Sequence, residues 1–264
     1  MPGAARPPGD GDEPRIEVYA DPDATAAVAA RWIADELTAA AGRRGRADWA
    51  TTGGSTPVGI YRHLTTAPLR DQVPWDLVHV WWGDDRFVPR DHPLSNVLAL
   101  DEVLAPEVSI PVEHIHAMSM GAAIAAGHDT TWVASAYDRE LIDADLPIAP
   151  NGFPRLDVVL VGVGGDGHVL SVFPGSTAFA GGGWVAAVPA PTHIEPQVAR
   201  VSLNPGFLEA AGRVLVVAFG EGKAAILATA LGDVRDTARW PVQHARHSNA
   251  TWLLDAAAAS KLAT

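Results

Sequence analysis

The chain has 264 residues and a formal net charge of −12, from 19 Lys and Arg against 31 Asp and Glu, with 48% apolar residues. Such a balance fills a core and excludes disorder for most of the chain. It also argues against sequence-independent nucleic-acid binding and against an anionic membrane surface, both of which need clustered Lys and Arg.

No cysteine is present, which removes disulfides, thiolate catalysis and Cys-ligated metal sites and fits a reducing compartment. No stretch approaches the ~20 apolar residues of a membrane span. The first segment, Met1 to Pro14, holds four prolines, three glycines and three acids. It lacks the apolar stretch of a secretory signal. It reads as a disordered lead-in to a single α/β domain over residues 15–264 of a cytoplasmic protein.

Along the domain the hydrophobic period alternates between two and 3.6. Arg15 to Ala20 is a short strand. Asp21-Pro22-Asp23 caps a helix from Ala24 to Ala41, which Gly42 ends. Ala47 to Thr52 is a buried strand, and Pro57 starts a helix carrying Ile60, Tyr61 and Leu64. Leu77 to Trp82 is an apolar strand stopped by Gly83, and Ser95 caps a helix through Leu104. Ala122 to Ala144 is helical. Leu156 to Val161 is a continuous apolar run that suits a central parallel strand. Val185 to Val188 and Arg200 to Leu203 are weaker strands. Arg213 to Phe219 is a strong one, followed by a helix from Glu221 to Leu231. Thr251 to Leu254 is a last strand and Ala256 to Leu262 a last helix. The alternation predicts a mostly parallel central sheet with helices on both faces, Rossmann-like in architecture.

Ligands of such sheets sit beyond the carboxyl ends of the strands, and four strand ends here carry unusual chemistry. Thr52-Gly53-Gly54-Ser55-Thr56-Pro57 joins a strand to a helix. It is either an ordinary capped turn or a phosphate cradle of backbone N–H groups and hydroxyls. The Gly-Lys-Ser/Thr ending of a Walker loop is absent. Gly83-Asp84-Asp85-Arg86-Phe87-Val88-Pro89, with Ser95-Asn96 after it, is either a solvated turn or a carboxylate and guanidinium turned to a substrate.

Gly162-Val163-Gly164-Gly165-Asp166-Gly167-His168 contains a formal G-x-G-x-x-G. A dinucleotide site is rejected because Pro174 interrupts any following helix and the distal acid is missing. The turn is instead either one that its own histidine caps or backbone shaped to present an imidazole for acid–base chemistry. Gly220-Glu221-Gly222-Lys223 sets a lysine in a helix's first turn, against the macrodipole: it is either a solvated surface cation or answered by an anion; Arg200, at the start of its own strand, is a second candidate cation with the same two readings. His114-x-His116 lacks a nearby third ligand for a metal. His244 and His247 lack a carboxylate companion. The nine tryptophans are scattered and read as core or interface.

Together these segments resemble the 6-phosphogluconolactonase family, within the larger group that includes glucosamine-6-phosphate isomerase/deaminase. The resemblance lies in Thr52 to Pro57, in Gly83 to Pro89 with Ser95-Asn96, in Gly162 to Pro174, in Gly220 to Lys223 and in the tail Trp252 to Asp255 with Ala257. It runs from about Val18 to Ala259. Asp85 stands where the family usually has glutamate, and Val169 replaces a common threonine.

The resemblance implies the isomerase/lactonase type of fold and hydrolysis of 6-phospho-D-glucono-1,5-lactone to 6-phospho-D-gluconate. The substrate is then a small sugar-phosphate lactone, with no cofactor or metal required and a monomer favoured. The residues suggest the roles. His168 activates water, Asp166 orients the turn or the imidazole, and Arg86 stabilises the oxyanion. Gly53, Gly54, Ser55, Thr56, Asp84, Arg200 and Lys223 bind substrate. The deaminase branch is expected to carry an acid shortly after the glycine–histidine turn, and Val169 to Gly175 has none. A sugar-phosphate isomerase or deaminase and a non-catalytic phosphosugar-binding protein stay open as alternatives.

Overall fold

Successive residues of the central strands point to opposite faces of the sheet, and the apolar character of both sets dictates a layered molecule. The computed structural model describes residues 12–262. Its strands are β1 (Arg15–Tyr19), β2 (Ala47–Thr51), β3 (Val78–Trp82), β4 (Asp84–Arg86), β5 (Ile115–His116), β6 (Val158–Val161), β7 (Val185–Val188), β8 (Arg200–Leu203), β9 (Arg213–Ala218) and β10 (Ala250–Asp255). Seven of them form one sheet in the order β1-β10-β9-β6-β2-β3-β5, with every neighbouring pair parallel.

The helices are α1 (Pro22–Arg44), α2 (Ser55–Leu64), α3 (Leu69–Gln72), α4 (Met120–Ala125), α5 (Thr130–Asp143), α6 (Gly206–Ala210) and α7 (Ala224–Ala230). Val158, Leu160, Leu215 and Val217 pack into one core with α1 and α2. Val159, Val161, Val214 and Val216 pack into the other with α4, α5, α6 and α7. Burying each such side chain is worth roughly 1.5–3 kcal/mol. A sheet covered on both faces has no solvent side, which is why its middle strands read as unbroken apolar runs. Among the described residues no helix is long and apolar enough to cross a membrane.

Several local expectations are corrected. Gly42 does not end α1; the helix runs to Arg44 and stops at Gly45, whose φ of 70° closes it in the left-handed region. The 122–144 stretch is two helices, because Gly127 takes a φ of 72° and Asp129 caps α5 by accepting from the N–H groups of Thr131 and Trp132. Ser95 caps no helix. Its Oγ accepts from Val97 N at 3.2 Å in a local turn, and the following helical segment has π geometry over Leu100–Leu104. The segment from Glu221 opens as a 3₁₀ turn, Glu221–Lys223, before α7. Residues 256–262 form turns rather than a helix.

The weak strands β7 and β8 do not extend the main sheet. With β4, which the sequence reads as a turn, they make a separate antiparallel sheet in the order β4-β8-β7. Of the expected lead-in, residues 1–11 lie outside the described residues; Glu13 accepts from Arg235 and Arg246.

Candidate active site

The sheet order places β9, β6, β2 and β3 side by side. Parallel strands end at the same edge, so the four segments singled out by sequence, each following one of these strands, meet there. They line a cleft of roughly 340 Å³. Gly53, Gly54, Ser55, Thr56, Asp84, Arg86, His168, Arg200 and Lys223 all border it. Asp166 does not; it stands behind His168.

After β2 the chain turns at Gly54, with a φ of 82° that L side chains rarely adopt. No side chain caps α2, so the orphan N–H groups of its first turn are left for a ligand, at the positive end of the helix.

After β3 the chain enters β4, and its residues separate by face. Asp84 is 4% exposed and accepts from Ser171 Oγ at 2.5 Å and Asn96 Nδ2 at 3.2 Å. Asp85 turns away from the cleft and accepts from the backbone N–H groups of Arg86 (2.8 Å) and Asn96 (2.7 Å). Burial pushes its carboxyl up to about 7 against those hydrogen bonds. Asp85 therefore ties the 95–96 turn to β4 and does not pair with the Arg86 side chain, whose Nη1 donates to Leu94 O.

Arg86 lies directly opposite Arg200 across the antiparallel β4–β8 pair. Like charges in that position repel. Both Nε atoms are buried without a hydrogen-bond partner. Burial foremost, with Arg86 adding to it against Asp84 and Asp166, pulls the Arg200 guanidinium down from its usual range. A buried and a half-buried cation on facing positions, with Lys223 on the same cleft, are what an anionic ligand would relieve. Asp255 at the end of β10 anchors the Lys223 turn by accepting from Gly220 N at 3.0 Å.

After β6 the glycine turn delivers His168. Its Nδ1 meets Asp166 Oδ1 at 2.6 Å, and the same oxygen accepts from His168 N at 3.0 Å. With Nδ1 held as the donor, Nε2 is the free base on the cleft side. A Cβ on Gly164 would lie 2.0 Å from His168 Nδ1, so the seat of the ring requires glycine. Burial raises the Asp166 carboxyl, but hydrogen bonds from His168 and His193 outweigh it and hold the group well below the carboxylate range.

Sequence reasoning missed several contributors. Asn96 borders the cleft, a position that the Ser95-Asn96 pair does not announce in the sequence. Phe173 packs between His168 and Arg200, with ring centroids 4.8 Å from the imidazole and 5.1 Å from the guanidinium carbon. His193, Ile194 and Glu195 come from the β7–β8 connection, where no local signal marks them. His116 has His79 and Glu140 within hydrogen-bond reach, contrary to expectation. These rings stack on one another and on Trp81 instead of converging, and no metal-holding cluster occurs among the described residues. His244 does have a carboxylate companion, Glu209, at 2.8 Å.

Residues 20–253 match the family described as glucosamine-6-phosphate isomerases/6-phosphogluconolactonase. The chain is 34% identical to the 6-phosphogluconolactonase of Streptomyces coelicolor over 254 residues, 95% of each chain. It is 32% identical to that of Mycobacterium tuberculosis, covering 94% of this chain and 98% of the relative. Its fold is similar to the solved 6-phosphogluconolactonase of Trypanosoma brucei, with a TM-score of 0.82, 29% identity and coverage of 96% of this chain and 100% of that one.

Proposed function

The chain belongs to the family of glucosamine-6-phosphate isomerases and 6-phosphogluconolactonases, and from that premise we propose that it hydrolyses 6-phospho-D-glucono-1,5-lactone to 6-phospho-D-gluconate in the cytoplasm. The observation that carries the reading is the His168–Asp166 pair at 2.6 Å, its free Nε2 facing a cleft that also holds three cations and an uncapped helix start.

In the proposed mechanism the phosphate lies against the N–H groups around Gly53 and Gly54, the hydroxyls of Ser55 and Thr56, and the charges of Lys223 and Arg200. Asp84 accepts from sugar hydroxyls. His168 Nε2 takes a proton from water as its oxygen bonds to the lactone carbonyl carbon. Arg86 stabilises the negative charge that develops on the carbonyl oxygen. The tetrahedral intermediate then expels the ring oxygen, and His168 returns the proton to it as the carbon–oxygen bond breaks.

Proton transfer between neighbouring sugar carbons would need a carboxylate base. The cleft's carboxylates are Asp84, already held by Ser171 and Asn96, and Glu195 on the exposed connection. That disposition favours hydrolysis over isomerisation or deamination.

The test is lactone disappearance near neutral pH, with lactone generated in situ and spontaneous opening subtracted. The parent accelerates the reaction, and His168→Ala loses ~10²–10⁴ of that acceleration while substrate still binds. A parent that leaves the spontaneous rate unchanged sinks the assignment. A His168→Ala variant with full kcat sinks the mechanism.

A further inference from the structure

Asp166 has two oxygens, and the mechanism uses only one. The other, Oδ2, meets Nε2 of His193 at 2.9 Å. His193 lies 27 residues further along the chain, in the 189–199 connection between β7 and β8, and its side chain is 51% exposed. Its ring packs edge-on against Phe173, with centroids 5.7 Å apart, and Phe173 in turn contacts the His168 ring. The same connection brings Ile194 and Glu195 to the cleft. Farther along, Pro196 O accepts from Arg200 Nη2 at 3.1 Å.

We propose, on the basis of the lactonase reading above, that His193 is a positioning residue: it fixes the carboxylate that orients His168 and fastens the 189–199 connection along the cleft. Without His193 the carboxylate is held at Oδ1 alone, by the backbone N–H and the ring of His168, and Oδ2 is left free to swing. Held at both oxygens, by two rings that each pack on Phe173, it has one orientation, and so does the His168 ring.

Sharing also sets the charge felt by His168. The N–H of His193 draws on the same negative charge that would stabilise a protonated His168. Removing that donor concentrates the charge on His168 and makes its protonated form easier to form. The other charged groups that line the cleft beside the trio are Arg200, Glu195, Asp84, Arg86 and Lys223. Among the described residues none of these hydrogen-bonds Asp166.

The experiment compares the parent with His193→Ala and His193→Gln. One readout is NMR titration of the His168 imidazole, assigned by its loss in His168→Ala. The other is the pH profile of kcat/KM for lactone hydrolysis. In His193→Ala the His168 titration and the acid limb of the profile move together to higher pH, by about 0.5 of a unit or more, and kcat/KM at neutral pH falls about tenfold. His193→Gln, whose amide N–H can reach the same oxygen, stays close to the parent. Because the side chain is half exposed, its truncation leaves no core cavity, and the thermal transition stays near the parent's.

If His168 titrates identically in all three proteins, the proposal is overturned, whatever the activities. If the titration moves but the parent hydrolyses no lactone, the positioning role stands and the lactonase reading falls.

Discussion

Arg86 and Arg200 face each other across two strands, although a −12 chain has little reason to place cations together. The arrangement makes sense when an anion is part of the folded, working state. Lys223 adds a third cation to the same cleft. Its role differs from that of His168, because the phosphate carries the same charge in the ground state and the transition state. Binding it is uniform and lowers KM without raising kcat. We therefore expect Lys223→Ala to raise KM by ~10–100-fold, the worth of a charge-assisted hydrogen bond, with kcat within about threefold of the parent. Steady-state kinetics check this. A large loss in kcat at unchanged KM would put Lys223 at the carbonyl instead.

At the scale of elements, helix boundaries answer to backbone chemistry more than to hydrophobic pattern. Residues 122–144 keep a helical period throughout, yet the chain breaks where Gly127 turns left-handed and Asp129 recaps it. The carboxylate of Asp129 satisfies two of the four donors that α5 would otherwise leave open. Asp129→Ala should cost about 1 kcal/mol of stability, seen as a lower urea midpoint at unchanged slope. Its turnover should equal the parent's, since the cap does not border the cleft. An unchanged midpoint would mean that water replaces the cap without loss.

At the scale of the whole molecule, the two edges of the sheet carry opposite burdens. The carboxyl edge holds the cleft. Near the amino edge, the fully buried Asp48 accepts from Arg44, Arg46 and Trp81. His79 sits beside it on β3, stacked on His114 and hydrogen-bonded to His116 at 2.9 Å, which in turn meets Glu140. Burial first, then the charges of Arg46 and His114, pull His79 down to about 4, with Asp48 opposing.

The unfolded chain takes up a proton at His79 near the ordinary histidine value of ~6.5; the folded chain resists until about 4. Stability from this residue is thus complete above the higher value and is lost as pH falls toward the lower one. Melting temperatures followed from pH 7 to pH 4 should fall less steeply for His79→Gln than for the parent. Parallel curves would assign the acid sensitivity to other groups.

All strands but β4 and β5, the alternation of strand and helix, and the four motifs were legible in the sequence, because hydrophobic period and turn chemistry are written within a few residues. That locality also explains the misreadings. Gly42 looks like a helix stop, but Arg44, held by Asp48 and Asp157 from other segments, lies on a further half-turn that closes at the left-handed Gly45. The sequence places Asp84 on the substrate and assigns Asp85 no role; only the pairing of β4 with β8 sends the two to opposite sides. Tertiary structure alone decided that β9, β6, β2 and β3 are neighbours, so that their four ends form one cleft. It alone set Arg86 against Arg200 and brought His193 to Asp166. These are pairings between distant segments, fixed by strand order and register, and no local pattern of residues encodes them.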